Sequence, residues 1–315
     1  MTAELSPQAD AVTAAPPHPV LPAVRDRVGN VWQPASACTA GCLPDLDSLP
    51  RVSTARVAVR LIGLIALLAG ALVAAPVLPL LAPDRRTAAL CALFRAVLRV
   101  AGVRLDHRGD RRLDKGDQTG VLVVSNHISW LDILALGTVQ PLRMVAKREI
   151  RDWPVLGGLA ARTGTVFVDR TGLRGLPSVV AEASAALRAG SVVGLFPEGT
   201  TWCGAASGVF RRAGFQAALD ADVPVRPVAQ RLRLPDGTPA TVGAFIGDDN
   251  LADSLLRVLR LPYLVVEIHV LPLLVAGPET DRREFARRAE LAIAEVTGVP
   301  APPVIRPPRA VRLAA

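Results

Sequence analysis

The chain has 315 residues, half of them apolar and only 4% aromatic, with a formal net charge of +8. That length suits one large domain with an appendage or two small domains, and the apolar excess points to a membrane segment or a very apolar core. Four cysteines are too few and too scattered for a disulfide scaffold, and no zinc-finger spacing, RNP-like aromatic pattern or basic heptad helix accompanies the positive charge, so nucleic acid is set aside and anionic lipid is the expected partner.

Residues 1–50 repeat Pro and small side chains without periodicity and read as a disordered arm. No basic stretch followed by an apolar one opens the chain, so no secretory signal is expected. Cys38 and Cys42 form a C-x3-C pair with no second metal-spaced pair after it. They read as reduced thiols, and no metal ligand set is expected.

Residues 51–101 read as a membrane anchor. Positions 61–82 carry no charged side chain, a length that fits a spanning helix of about 20 apolar residues. Pro76 and Pro79 break that helix near its end. Arg51, Arg56 and Arg60 precede it and Arg85 and Arg86 follow it, so basic residues give no orientation. From Thr87 to Val100, Leu90, Leu93, Phe94, Val97 and Leu98 share one face, which is amphipathic helix spacing. Two arrangements stay open: a helix hairpin lying in one leaflet, or a single span followed by a core helix. Both attach the chain to a membrane.

From residue 102 short apolar runs alternate with helical stretches. Strands are expected at Val121–Ser125, Leu142–Ala146, Thr165–Val168, Ser191–Phe196, Val225–Gln230 and Leu264–Val270. Helices are expected at Trp130–Thr138, Pro154–Arg162, Gly175–Ala189, Phe210–Ala221, Leu251–Leu259 and Glu279–Val296. Alternation of this kind predicts an α/β domain over 102–297, a mixed, partly parallel sheet covered by helices. A Pro- and Arg-rich tail, 298–315, follows it.

The stretch Val121–Asp132 carries the chemistry. A continuously apolar strand leads into Asn126 and His127, and Ser129 with Asp132 three residues on has the form of a helix cap with an acidic third position. His127 then lies in the turn and Asp132 on the first helical turn, where the two side chains can converge. A carboxylate on one imidazole nitrogen fixes the tautomer, and the other nitrogen can take a proton from a hydroxyl. A helix cap beside a structural histidine accounts for the same spacing. No G-x-S-x-G setting accompanies the pair, so direct transfer is favoured over a covalent enzyme intermediate.

Asn126-His127-Ile-Ser-Trp-Leu-Asp132 matches the N-H-x4-D motif of the glycerolipid acyltransferases, the family of 1-acylglycerol-3-phosphate acyltransferases. Gly164-Thr-Val-Phe-Val-Asp-Arg170 resembles the G-x-x-F-[IV]-x-R block, Phe196-Pro-Glu-Gly-Thr200 the F-P-E-G-T block, and Val223-Pro-Val-Arg-Pro-Val228 the final V-P-[IV]-x-P-V block. The four blocks stand in the family's order, and the resemblance covers roughly residues 85–275.

The resemblance implies a glycerol-3-phosphate acyltransferase-like fold and a membrane-associated enzyme. An acyl group would pass from acyl-CoA or acyl carrier protein to the hydroxyl of lysophosphatidic acid, with no resident cofactor. It makes His127 the general base and Asp132 its partner, and places Asn126, Glu198, Gly199 and Thr200 at the substrate. Arg170, with Lys147, Arg211 or Arg212, would hold phosphate. Backbone amides near Gly199 and Thr200 become candidate oxyanion donors, and an acyl-chain tunnel is expected between the second block and the anchor. The catalytic domain would face the cytoplasm, where the donor is made. One position departs from the pattern: Thr201 stands where the family commonly has Arg after E-G-T. That leaves room for another acceptor, such as a lyso-ornithine lipid. A catalytically silent lipid-binding homologue is the other alternative, against which intact His127 and Asp132 argue.

Overall fold

In the computed structural model, which describes residues 34–169, 172 and 174–300, the alternating pattern folds into a single seven-stranded sheet. The strands are β1 (Val103–Gly109), β2 (Val121–Ser125), β3 (Arg143–Lys147), β4 (Val166–Val168), β5 (Val192–Leu195), β6 (Val225–Arg233) and β7 (Leu264–Val270), in the order β1-β7-β6-β2-β5-β3-β4. Every neighbouring pair is parallel except β6 with β7, so the sheet is mixed, as expected. β2 lies at its centre with all of its residues buried, which is why that strand reads as an unbroken apolar run.

Eight helices accompany it among the described residues: α1 (Thr54–Ala74), α2 (Pro83–Val100), α3 (Leu131–Val139), α4 (Leu156–Arg162), α5 (Leu176–Arg188), α6 (Gln216–Ala221), α7 (Leu251–Arg260) and α8 (Arg282–Thr297). Alternation along β2 divides the core. Val121 and Val123 pack with Leu98, Leu131 and Leu136 on one face of the sheet. Leu122 and Val124 pack with Leu187, Phe215 and Phe285 on the other.

Two elements differ from expectation. β1 was not foreseen, because Val-Arg-Leu-Asp-His-Arg-Gly is mostly polar; it is an edge strand paired only with β7. The helix expected over Phe210–Ala221 is shorter, a 3-10 turn at Arg212–Phe215 followed by α6. The other boundaries fall close to the expected ones where caps are present. α8 starts where the Asp281 side chain accepts from the Arg283 and Glu284 N–H groups, and stops at left-handed Gly298.

The arm expected over 1–50 is corrected for its last part. Residues 34–50 lie against the domain: Cys38 is fully buried in the core, and a 3-10 turn forms at Ala40–Cys42. Composition concealed this because a short segment can be held by tertiary contacts with little periodicity of its own. Residues 1–33 and most of the tail lie outside the described residues.

The anchor folds as an antiparallel pair. Gly63 near the start of α1 faces Val100 at the end of α2. The Arg60 guanidinium donates to the carbonyls of Leu259, Leu261 and Pro262 at 2.7–2.8 Å, tying α1 to the end of α7. α1 buries none of its residues, and its 21 residues reach about 32 Å at the helical rise, enough to cross a hydrocarbon core by length and composition. α2 instead docks on α3. Arg95 donates to the Thr138 carbonyl at 2.6 Å, and a Cβ on Gly137 would come 2.5 Å from the Phe94 ring.

Glycine at 137 is therefore what lets α2 sit on α3. Gly137→Val should lower stability by about 1–3 kcal/mol through overpacking, read as a lower unfolding temperature in detergent. Adding Phe94→Ala should recover part of the loss. A valine at 137 that leaves the unfolding temperature unchanged would show that the two helices do not bear on each other there.

Candidate active site

β2 ends at Ser125, and the next residue extends its pairing through a side chain. The Asn126 amide donates to the Gln230 carbonyl at 2.9 Å and accepts the Gln230 N–H at 2.8 Å, so it stands in for one more rung of the β2–β6 ladder. The main chain then turns out as His127-Ile128-Ser129 and is held from two sides. The Trp202 N–H donates to the His127 carbonyl at 2.8 Å, and the Phe245 N–H to the Ile128 carbonyl at 2.9 Å.

Asp132 closes the turn from within. Its Oδ2 accepts from the Ile128 N–H at 2.6 Å, the Ser129 N–H at 2.8 Å and His127 Nδ1 at 2.9 Å. The side chain is fully buried on the first turn of α3, where the helix dipole also favours a negative charge. Half of the expected cap is present: Asp132 reaches back to the Ser129 N–H, but the Ser129 hydroxyl makes no return bond among the described residues. α3 begins at Leu131 with no side-chain cap at Trp130. The convergence of His127 and Asp132 thus follows from the turn geometry.

The His127 ring is held against a second surface. It stacks on Phe196 with centroids 3.8 Å apart and planes within 7°. In the tautomer that donates Nδ1–H to Asp132, Nε2 carries the lone pair and can act as a base. The side chain keeps 17% exposure and lines a small cavity of about 30 Å³ with Asn126, Glu198 and Trp202.

Glu198 lies beneath this turn. One carboxylate oxygen accepts the His127 N–H at 2.6 Å and the other the Gly208 N–H at 2.9 Å. Burial pushes its pKa up to about 8, against the two backbone hydrogen bonds that pull it down. The expectation was that Asn126 and Glu198 touch substrate. In the fold both hydrogen-bond main chain and both line the cavity beside His127.

The remaining expected residues spread outward. Gly199 adopts φ +76°, which glycine accommodates without strain. Its N–H donates to the Phe196 carbonyl at 3.0 Å and closes the F-P-E-G-T turn. Thr200 is half-buried beside it. The Thr201 hydroxyl donates to the Phe245 carbonyl. Lys147, at the end of β3, places its ammonium 5.7 Å over the Trp153 ring and not on the His127–Glu198 cluster. Arg170 lies outside the described residues.

A mostly apolar groove of about 140 Å³ runs between β5 and α5. Leu122, Val168, Leu176, Leu195 and Phe196 are among its walls, and Asp169, Gly199 and Arg211 also line it. It lies on the α5 face of the sheet, whereas α1 and α2 pack toward the α3 face. This groove is thus on the layer opposite α1 and α2, not between the second block and the segment expected to anchor the chain. Sequence spacing also missed Gln230, whose main chain receives Asn126, and the stacking of Phe196. The phenylalanine was within a recognised block; nothing local marked Gln230.

Residues 104–231 match the family model described as Acyltransferase. The chain is 34% identical over 215 residues to a 1-acyl-sn-glycerol-3-phosphate acyltransferase of Neisseria meningitidis serogroup B, covering 68% of this chain and 82% of that relative. It is 37% identical over 207 residues to a lyso-ornithine lipid O-acyltransferase of Pseudomonas aeruginosa, covering 65% and 74% respectively. Its fold is similar to the crystal structure of the 1-acyl-sn-glycerophosphate acyltransferase PlsC from Thermotoga maritima. That match has a TM-score of 0.52 at 19% identity, covering 77% of this chain and 96% of that one, and at this identity it supports the fold alone. Similarity at this level across most of a relative's length shows that this chain belongs to the acyltransferase family and is an acyl-transferring enzyme.

Proposed function

We propose that the chain moves a fatty acyl group from an acyl thioester, acyl-CoA or acyl carrier protein, to the hydroxyl of lysophosphatidic acid, giving phosphatidic acid. The observation that carries this reading is the 2.9 Å contact of Asp132 Oδ2 with His127 Nδ1, made by an oxygen that also holds the two following N–H groups. His127 Nε2 takes the proton of the acceptor hydroxyl as its oxygen attacks the thioester carbonyl. The tetrahedral oxyanion collapses, the C–S bond breaks, and the imidazolium returns the proton to the departing thiolate. Asp132 stabilises the imidazolium in between. A thioester is already activated, so alcohol deprotonation and oxyanion stabilisation are what the site has to supply.

The apolar groove suits a hydrocarbon chain, since Phe196, one of its lining residues, also stacks on the His127 ring. The α1–α2 hairpin supports a membrane location. α1 exposes Ile62, Ile65, Leu68 and Val73, whereas α2 carries Asp84, Arg85, Arg86, Arg95 and Arg99 and docks on α3. A docked, charged α2 cannot follow α1 through a bilayer, which favours a hairpin lying in one leaflet. The catalytic domain then stays on the side of the thioester donor, the cytoplasm, and takes its amphiphilic acceptor laterally.

Thr201 favours a second acceptor, a lyso-ornithine lipid. Where the resemblance led to an arginine at a phosphate, this chain has a hydroxyl turned inward to Phe245, and a lyso-ornithine lipid O-acyltransferase is among the relatives.

Replacing the base should remove a general-base contribution of roughly 10²–10⁴-fold. His127→Ala should therefore lose that much kcat while the purified protein unfolds at the wild-type temperature; transfer at the wild-type rate would refute the assignment. Asp132→Asn should also lose most activity, and unaltered turnover would leave Asp132 a turn-former only.

Glu198 has a distinct signature. Its folded pKa of about 8 lies above the ordinary carboxylate value of 4.5, so the folded state binds the extra proton between those values. Its contribution to stability then falls as pH rises from about 4.5 to 8 and is level outside that window. Glu198→Gln should be less stable at low pH by about 1–3 kcal/mol, because an amide nitrogen would face a backbone N–H. It should also lack that fall, which thermal unfolding across pH can check; parallel curves for both proteins would contradict the buried proton.

The acceptor is decided by a panel of lysophosphatidate and lyso-ornithine lipid with labelled acyl-CoA and acyl carrier protein. A kcat/KM at least tenfold higher for lysophosphatidate is expected. The opposite preference would assign the chain to the second acceptor.

A further inference from the structure

Cys203, 161 positions beyond Cys42 in the sequence, folds against the N-terminal C-x3-C pair. The Sγ atoms of Cys38, Cys42 and Cys203 all lie within 4.8 Å of one another. Cys38 and Cys203 are buried, at 0% and 2% exposure, and Cys42 is half-buried at the edge. The local geometry is built for this. The Thr39 hydroxyl accepts the Gly41 N–H, and the Cys42 N–H donates to the Thr39 carbonyl at 2.9 Å, so the 3-10 turn brings Cys42 back beside Cys38. The Cys203 main-chain N–H donates to Cys38 Sγ at 3.2 Å, the kind of bond that supports a metal-bound thiolate.

We propose that Cys38, Cys42 and Cys203 form a three-thiolate site for a soft divalent metal ion, zinc above all, which staples the N-terminal segment to the loop that braces the His127 turn. Thiolates at the corners of a zinc tetrahedron, with Zn–S near 2.3 Å, stand about 3.8 Å apart, so the sulfurs need only a small contraction. Soft sulfur donors select zinc over magnesium or calcium. Water or a further donor completes the tetrahedron. On the cytoplasmic side proposed above, thiols stay reduced, which favours metal over a disulfide.

The position gives the site a task. Cys203 follows Trp202, whose N–H holds the His127 carbonyl, and Thr201, whose hydroxyl holds the Phe245 carbonyl. On the other side of the staple, Pro34 packs against Gly199: a Cβ there would lie 2.7 Å from the proline ring. The metal thereby restrains the loop that restrains the catalytic turn, without touching substrate.

The test uses full-length protein purified in detergent with a thiol reductant and no chelator. Elemental analysis should find one equivalent of zinc per chain. The demetallated chain titrated with Co²⁺ should show thiolate-to-cobalt charge-transfer absorption that Zn²⁺ displaces. Cys42→Ser, at the half-buried edge, should keep the fold by circular dichroism and weaken Co²⁺ binding by roughly tenfold or more. Cys91→Ser, on α2, should leave binding unchanged. Three results would overturn the site: no zinc and no cobalt band in wild-type protein, cobalt binding unaffected in Cys42→Ser, or a disulfide joining Cys38 to Cys42 or Cys203 in protein alkylated directly from cells. None of these readouts depends on acyl transfer, so the site and the proposed acceptor fail separately.

Discussion

One carboxylate oxygen organises the catalytic turn. Asp132 Oδ2 takes two main-chain N–H groups and the imidazole Nδ1, so the bonds that shape the turn also orient the ring. A buried carboxylate without donors would be costly; with several it becomes a rigid anchor. The same contacts that fold the turn would prepare the proposed base, so a helix-capping role for Asp132 and the catalytic role proposed for it are compatible.

The turn inherits its position from the sheet. β2 is central and buried, Asn126 extends its pairing onto β6, and the loops bearing Trp202 and Phe245 brace the carbonyls that leave it. Glu198 adds a brace from below at an electrostatic cost visible in its raised pKa. Such preorganisation lets a base act with little motion at the moment of reaction. Asn126, Glu198 and Trp202, which hold the turn, line the small cavity beside His127, and a separate groove opens on the α5 face.

The α1–α2 hairpin answers a different constraint. α1 has no buried residue and would be an exposed apolar helix in water. Yet it is tied to the domain through Arg60 and three carbonyls, and α2 packs on the helix that follows the catalytic turn. The anchor and the site therefore share α3 as a common support, which fits an enzyme that works beside a lipid surface.

By itself the sequence determined what short-range physics can encode. The apolar run of β2, the alternation behind the mixed α/β sheet, the uncharged stretch of α1 and the spacing of His127 and Asp132 all depend on neighbours a few residues apart. Tertiary structure alone decided what depends on distant partners. Asn126 and Glu198 were legible as site residues but not as braces, because Gln230 and Gly208 are far along the chain. β1 was hidden because an edge strand tolerates polar side chains. The groove fell on the layer opposite the anchor because that depends on which face each helix covers. The three cysteines looked unrelated at their spacing and met only when the N-terminal segment closed over the loop after Glu198, a contact made by packing that leaves no periodicity to read.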